Sequence, residues 1–161
     1  WELTTGLVMN GVFGESEIAA ELARDNTANG QRFAAGARAA IPSAANKEAT
    51  WKLLVETKEY SNTLVQSASM AFHRVTDLSL IESYSKRYHE AALGIWGRFS
   101  YKIAEYLLIN LYPSKLASEE LANTTKQLIA SKEVAEKPAL RRILVENLAD
   151  VERALIAQKA D

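Results

Sequence analysis

Apolar residues along this chain recur at intervals of three and four, the spacing of one face of an α-helix, and nowhere alternate as a half-buried strand requires. The clearest stripe runs through Leu140, Ile143, Leu144, Leu148, Val151 and Leu155, about four turns of one helical face. Pro138 stands just ahead of it, where a missing N–H costs nothing. Ser118, followed by Glu119 and Glu120, opens the helix before, because acidic residues favour the positive end of the helix dipole. Pro42 ends a helix bearing Phe33, Ala37 and Ile41, and Ser43 caps the next, whose face is the Lys47 stem, Trp51, Leu54 and Val55.

Ser79 with Glu82 three residues on has the capping-box spacing, so a helix carrying Ile81, Tyr84, Tyr88 and Ala92 is expected to begin there. Gly94 is expected to end it. A second helix then presents Trp96, Phe99, Ile103, Leu107 and Leu111 until Pro113. The pattern predicts eight or nine helices, at about 1–10, 15–25, 28–41, 43–58, 61–73, 79–93, 95–111, 118–131 and 137–159. Connections this short fold each helix back on its neighbour, and a series of such hairpins is expected to stack as a HEAT- or armadillo-like curved superhelix. The fold class is all-α, and a single domain is expected over 1–161. The Ala-rich run from Ala34 to Ala45 reads as close helix packing.

Composition narrows function more by exclusion. The 19 Lys and Arg nearly cancel the 20 Asp and Glu, and a formal charge of −1 gives no long-range pull toward nucleic acid or a membrane surface. There is no cysteine, which removes disulfides, thiolate metal sites and cysteine nucleophiles. No run of apolar residues is long enough to span a bilayer and no signal peptide is visible, so the expected location is cytoplasmic. Trp1 opens directly into a helical pattern, which reads as a fragment of a longer chain.

Catalytic chemistry is sparse. His73 and His89 are the two histidines, and His89-Glu90 fails the His-Glu-x-x-His pattern because the fifth position is Leu93. Gly-x-Ser-x-Gly elbows and phosphate loops are missing, Gly94 and Gly97 flanking Trp96 without the rest of such a loop. Lys86-Arg87 among Tyr84, Tyr88 and His89 splits into an apolar and a charged helix face, and Arg141-Arg142 reads as a solvated face able to pair with Glu146. Asn123-Thr124-Thr125 matches the glycosylation pattern by chance, inside a helix. No residue is assigned a catalytic, cofactor-binding or metal-binding role.

Several segments together resemble the C-terminal helical domain of aminopeptidase N type gluzincins, shared with the endoplasmic-reticulum and puromycin-sensitive aminopeptidases. They are Ile18-Ala-Ala-Glu-Leu-Ala-Arg-Asp25 with Thr27 and Gly30; Pro42, Lys47 and Trp51; and Ser61-Asn62. Further on come Tyr88 through Ile95-Trp96 and Arg98 to Leu111-Tyr112-Pro113, then Ala139-Leu-Arg-Arg142 with Asp150, Arg153, Ala154 and Gln158. The likeness covers nearly the whole chain. It implies a non-catalytic domain of a zinc aminopeptidase that removes N-terminal residues from peptides. Zinc and the catalytic motifs belong to the parent's catalytic domain, with which this domain would partner within one molecule, closing over it and limiting or contacting the peptide substrate. The alternative is a free-standing helical-repeat scaffold for a protein partner. A small helical enzyme or carrier would need a buried polar cluster between helices.

Overall fold

A computed structural model describes residues 1–159, and every regular element among them is helical. Ten α-helices are present among the described residues: α1 Glu2–Met9, α2 Glu15–Arg24, α3 Ala28–Ala39, α4 Ala44–Glu56, α5 Asn62–Phe72, α6 Glu82–Arg98, α7 Tyr101–Asn110, α8 Glu119–Ala130, α9 Lys132–Ala135 and α10 Pro138–Gln158. Short 3₁₀ turns stand at Leu78–Leu80 and Ser114–Leu116. The all-α class is as expected, with one helix more than the pattern predicted. The addition is α9, a single turn started by Ser131, whose hydroxyl accepts from the Val134 amide.

The chain forms two compact units, Trp1–Ile81 and Glu82–Asp161. In the first, α3 is the centre, packed on α1, α2, α4 and α5. Its buried face is made of small residues, Gly30, Ala34, Ala35, Gly36, Ala37 and Ala39. Small side chains let α5 approach so closely that Ser67 donates a hydrogen bond to the Arg32 carbonyl at 2.7 Å. Ser43 and Thr27 cap α4 and α3 through the amides of Asn46 and Gly30. Lys47, Trp51 and Leu54 form the buried face of α4, as the pattern predicts. Phe33 departs from the expectation: it is 40% exposed and stacks on Trp1, while Ala34 and Ala37 of the same helix are fully buried.

In the second unit α10 lies against α7, α8 and α9, and α6 against α7 and α8. Pro138 is in the first turn of α10, and Leu140, Ile143, Leu144, Leu148 and Val151 are buried along it. Ser118 caps α8 through the Leu121 amide at 3.1 Å.

Two boundaries differ from the sequence reading. The capping box expected at Ser79 does not form; the Asp77 carboxylate instead accepts from the Ser79 amide and starts the 3₁₀ turn, so α6 begins at Glu82. Gly94 does not end a helix either. α6 runs through it to Arg98, since about 1 kcal/mol of lost helix propensity is less than the packing of Tyr84, Tyr88, Ala92 and Ile95 along that face. Nothing lies within 4 Å of a Cβ built on Gly94. Gly94→Ala is therefore expected to stabilise the chain by about 0.5–1 kcal/mol, read as a raised urea midpoint at unchanged slope. A destabilised variant would show that the open space is needed.

Candidate functional site

The first unit carries a groove of about 470 Å³ between α1, α3 and α5. Its walls follow from the small-residue face of α3. Because Gly36 and Ala71 meet there without bulk, the flanking side chains Arg32, Phe33, Met70 and Arg74 stand around a depression. Phe33 is 40% exposed and Met70 62% exposed, two large apolar groups held open in one place. The Arg32 guanidinium sits 5.0 Å over the Phe33 ring, and Phe33 stacks on Trp1 with ring centroids 6.1 Å apart. Among the described residues neither Arg32 nor Arg74 has a carboxylate partner, whereas Arg38 on the same helix is paired with Glu15 at 2.7 Å. Guanidinium groups left without counter-charge beside an apolar floor suit a carboxylate that has an apolar group next to it.

Elsewhere in the first unit the C-terminal ends of α3 and α5 are tied together by Lys47. It is fully buried, and its Nζ donates to the Ala39 carbonyl at 2.6 Å and the Phe72 carbonyl at 2.8 Å, the last carbonyls of α3 and α5. A cation at two helix C-termini meets two negative dipole ends. Sequence reading took Lys47 for a residue whose stem alone is buried.

The second unit contains a buried polar cluster that sequence reading did not find. Tyr88 donates to the Leu108 carbonyl at 2.7 Å, and Asn147 of α10 donates to both the Tyr88 hydroxyl and that same carbonyl, at 3.2 and 3.0 Å. Burial pushes the Tyr88 phenol well above its ordinary pKa, with the neighbouring Tyr112 adding to the effect and Asn147 opposing it, so it remains a donor. One residue along α6, His89 bonds to the Ser85 carbonyl and to the Thr125 hydroxyl, and Thr125 meets the Tyr112 hydroxyl at 2.8 Å. Asn147 lies on the buried stripe of α10 and Thr125 is the third residue of the chance glycosylation pattern; polar residues at core positions of an amphipathic helix were the available signal.

The other Lys and Arg residues weighed from sequence lie on outward helix faces. Lys86 pairs with Glu90 at 3.7 Å, the Arg87 guanidinium lies 4.9 Å over Tyr84, and Arg142 pairs with Glu146 at 3.6 Å. His73 is a buried residue at the end of α5, in the other unit from His89. Among the described residues no three His, Asp or Glu side chains gather as a metal site, and both ring nitrogens of His89 are engaged by protein groups. These residues do not fit a zinc ion. Among the described residues no helix is long and apolar enough to cross a membrane.

Comparison with known proteins adds identity to this geometry. The chain is 38% identical over 161 residues to a protein of Streptomyces lividans named Aminopeptidase N, a match that takes in all of this chain and 19% of that relative. It thus spans about a fifth of the relative's length. Residues 1–153 match the family described as the ERAP1-like C-terminal domain. The chain belongs to the ERAP1-like C-terminal domain family.

Proposed function

We propose that this chain is the non-catalytic C-terminal domain of an aminopeptidase N type zinc enzyme, and that its part is to close over the catalytic domain and contact the peptide substrate. The parent releases N-terminal residues from peptides. Zinc and the groups that attack the peptide bond are held by the catalytic domain, and no residue of this chain has a catalytic, metal or cofactor role. The two units act together as one domain of a longer, cytoplasmic chain. Its partners are that catalytic domain and the peptide, with no part for nucleic acid or a membrane.

The observation that carries this reading is the groove holding Arg32 and Arg74 beside Phe33 and Met70. A peptide threaded by its amino end into a distant zinc site leaves its far end to be held elsewhere. That end combines a carboxylate with a side chain, the chemistry that two unpaired guanidinium groups over an apolar floor are made to receive.

The test is a double substitution in the parent enzyme. Arg32→Ala with Arg74→Ala removes charge-assisted hydrogen bonds worth roughly 1.5–3 kcal/mol each, so KM for a long peptide is expected to rise ten-fold or more. Hydrolysis of a single-residue aminoacyl reporter, too short to reach the groove, is expected to be unchanged. Equal effects on both substrates, or none on either, would remove the groove from peptide binding. A parent without zinc-dependent aminopeptidase activity would remove the whole reading.

A further inference from the structure

α5 has a complete inner face: Val65, Ala68, Ser69, Ala71 and Phe72 are buried along it. Gln66, Ser67 and Met70 fall on the opposite side at helical spacing, with Arg74 just beyond the helix end, and all four line the groove of the first unit. Three of them are polar, as an outward strip requires. Met70 is the exception, 62% exposed. Packing does not call for it there, and an unbranched thioether in a groove adapts to apolar guests of differing shape. The chain has two methionines, and the other, Met9, ends α1 and is partly buried.

A thioether reachable from water is open to two-electron oxidation. Its sulfur lone pair attacks one oxygen of a hydroperoxide, so an S–O bond forms as the O–O bond breaks. The proton on the attacked oxygen passes to the departing one, which leaves as water when the oxidant is hydrogen peroxide. Sulfur gives up two electrons and the peroxide takes them. The product, methionine sulfoxide, puts a polar acceptor where an apolar sulfur stood. Arg32 and Arg74 line the same groove, and guanidinium groups offer donors and no acceptor. The sulfoxide oxygen therefore competes for the N–H groups that a carboxylate would take, and the floor loses its apolar character. The way back also balances: two thiols reduce the sulfoxide, giving the thioether, a disulfide and water.

We propose that Met70 is a redox-modification site of the groove: a hydroperoxide oxidises it in preference to Met9, and the sulfoxide weakens binding of a peptide's far end until a thiol-dependent reductase removes it. The effect on binding rests on the groove receiving a peptide, as proposed for the parent; the selective oxidation does not. Because the inner face of α5 is untouched, the oxidised chain keeps its stability. That separates a change at one site from general oxidative damage.

The experiment treats the parent enzyme with limiting hydrogen peroxide and follows both methionines by peptide mass spectrometry. KM is measured alongside for a long peptide ending in leucine and for a single-residue aminoacyl reporter. Met70 is expected to gain oxygen several-fold faster than Met9. KM for the long peptide is expected to rise several-fold in step with Met70 oxidation, at unchanged KM for the reporter, and to fall back on treatment with methionine sulfoxide reductase and dithiothreitol. Met70→Gln, with a polar acceptor of similar length, is expected to give the raised KM without peroxide. Met70→Leu is expected to show no peroxide response relative to its own untreated value. The urea midpoint of the chain is expected to be the same before and after Met70 oxidation. Oxidation of Met9 first, a long-peptide KM that ignores complete Met70 oxidation, an undiminished response in Met70→Leu, or a lowered midpoint would overturn the proposal. If Arg32→Ala with Arg74→Ala raises KM while Met70 oxidation does not, the oxidation inference alone falls; if neither does, the peptide-binding reading of the groove falls with it.

Discussion

Gly30→Ala is expected to lower the stability of the chain by at least about 3 kcal/mol, the upper part of the range for forcing extra atoms into a packed site. A Cβ on Gly30 would stand 1.8 Å from the Asp25 carbonyl oxygen and 2.9 Å from the carbon it is bonded to, which are backbone atoms. They have no freedom to move aside. The Asp25 side chain is held by the Trp1 indole N–H and the Thr27 hydroxyl, both at 2.7 Å, and Thr27 in turn caps α3 through the Gly30 amide. Relieving the clash means breaking the start of α3, the helix on which the first unit is assembled. Gly36→Ala is the internal comparison: there the nearest atom, at 2.9 Å, is the end of the Ser67 side chain, which can rotate. Its cost is expected to be within about 1 kcal/mol, because better helix propensity offsets part of the lost Ser67 hydrogen bond. Urea denaturation of the two variants side by side checks the contrast. Equal midpoints would show that the Asp25 turn is not rigid.

Lys47→Ala is expected to cost about 3–5 kcal/mol by the same measurement, since it removes a buried stem together with a donor shared by two helix-terminal carbonyls. Lys47→Met separates the two contributions. It keeps the stem and removes the ammonium group, leaving the Ala39 and Phe72 carbonyls without the donor that now lies 2.6 and 2.8 Å away. A loss of about 1.5–3 kcal/mol is expected, reduced by whatever desolvation the buried cation now costs. A methionine variant as stable as the parent chain would mean that the cation's desolvation cancels its two hydrogen bonds, and that Lys47 serves as packing alone.

Lys47 also marks the limit of reading a helix from its periodicity. The three-and-four spacing placed it correctly on the buried face of α4 with Trp51 and Leu54. Periodicity describes one helix at a time, so it could not show that the ends of α3 and α5 converge on the ammonium group. Phe33 failed for the related reason that an amphipathic stripe names a face without saying how wide its partner is. With Gly36 at the contact to Ser67 and Ala71 of α5, the phenyl ring is left at the edge of the groove. Gly94 and Ser79 show local signals outweighed by packing and by a nearer cap.

What the sequence determined by itself was the helical class, nearly all the helix positions, most of the caps and the family resemblance, because each rests on residues a few positions apart in the chain. The sites were decided only by tertiary structure. Arg32 and Arg74, His89 and Thr125, Tyr88 and Asn147 are separated by 42, 36 and 59 positions. Two of these pairs meet through hydrogen bonds, and the third shares the wall of one groove. Charge, polarity and spacing along a helix say which residues face inward or outward. Which of them share a cavity depends on how closely small residues such as Gly36 let two helices approach, and that distance is a property of the packed pair.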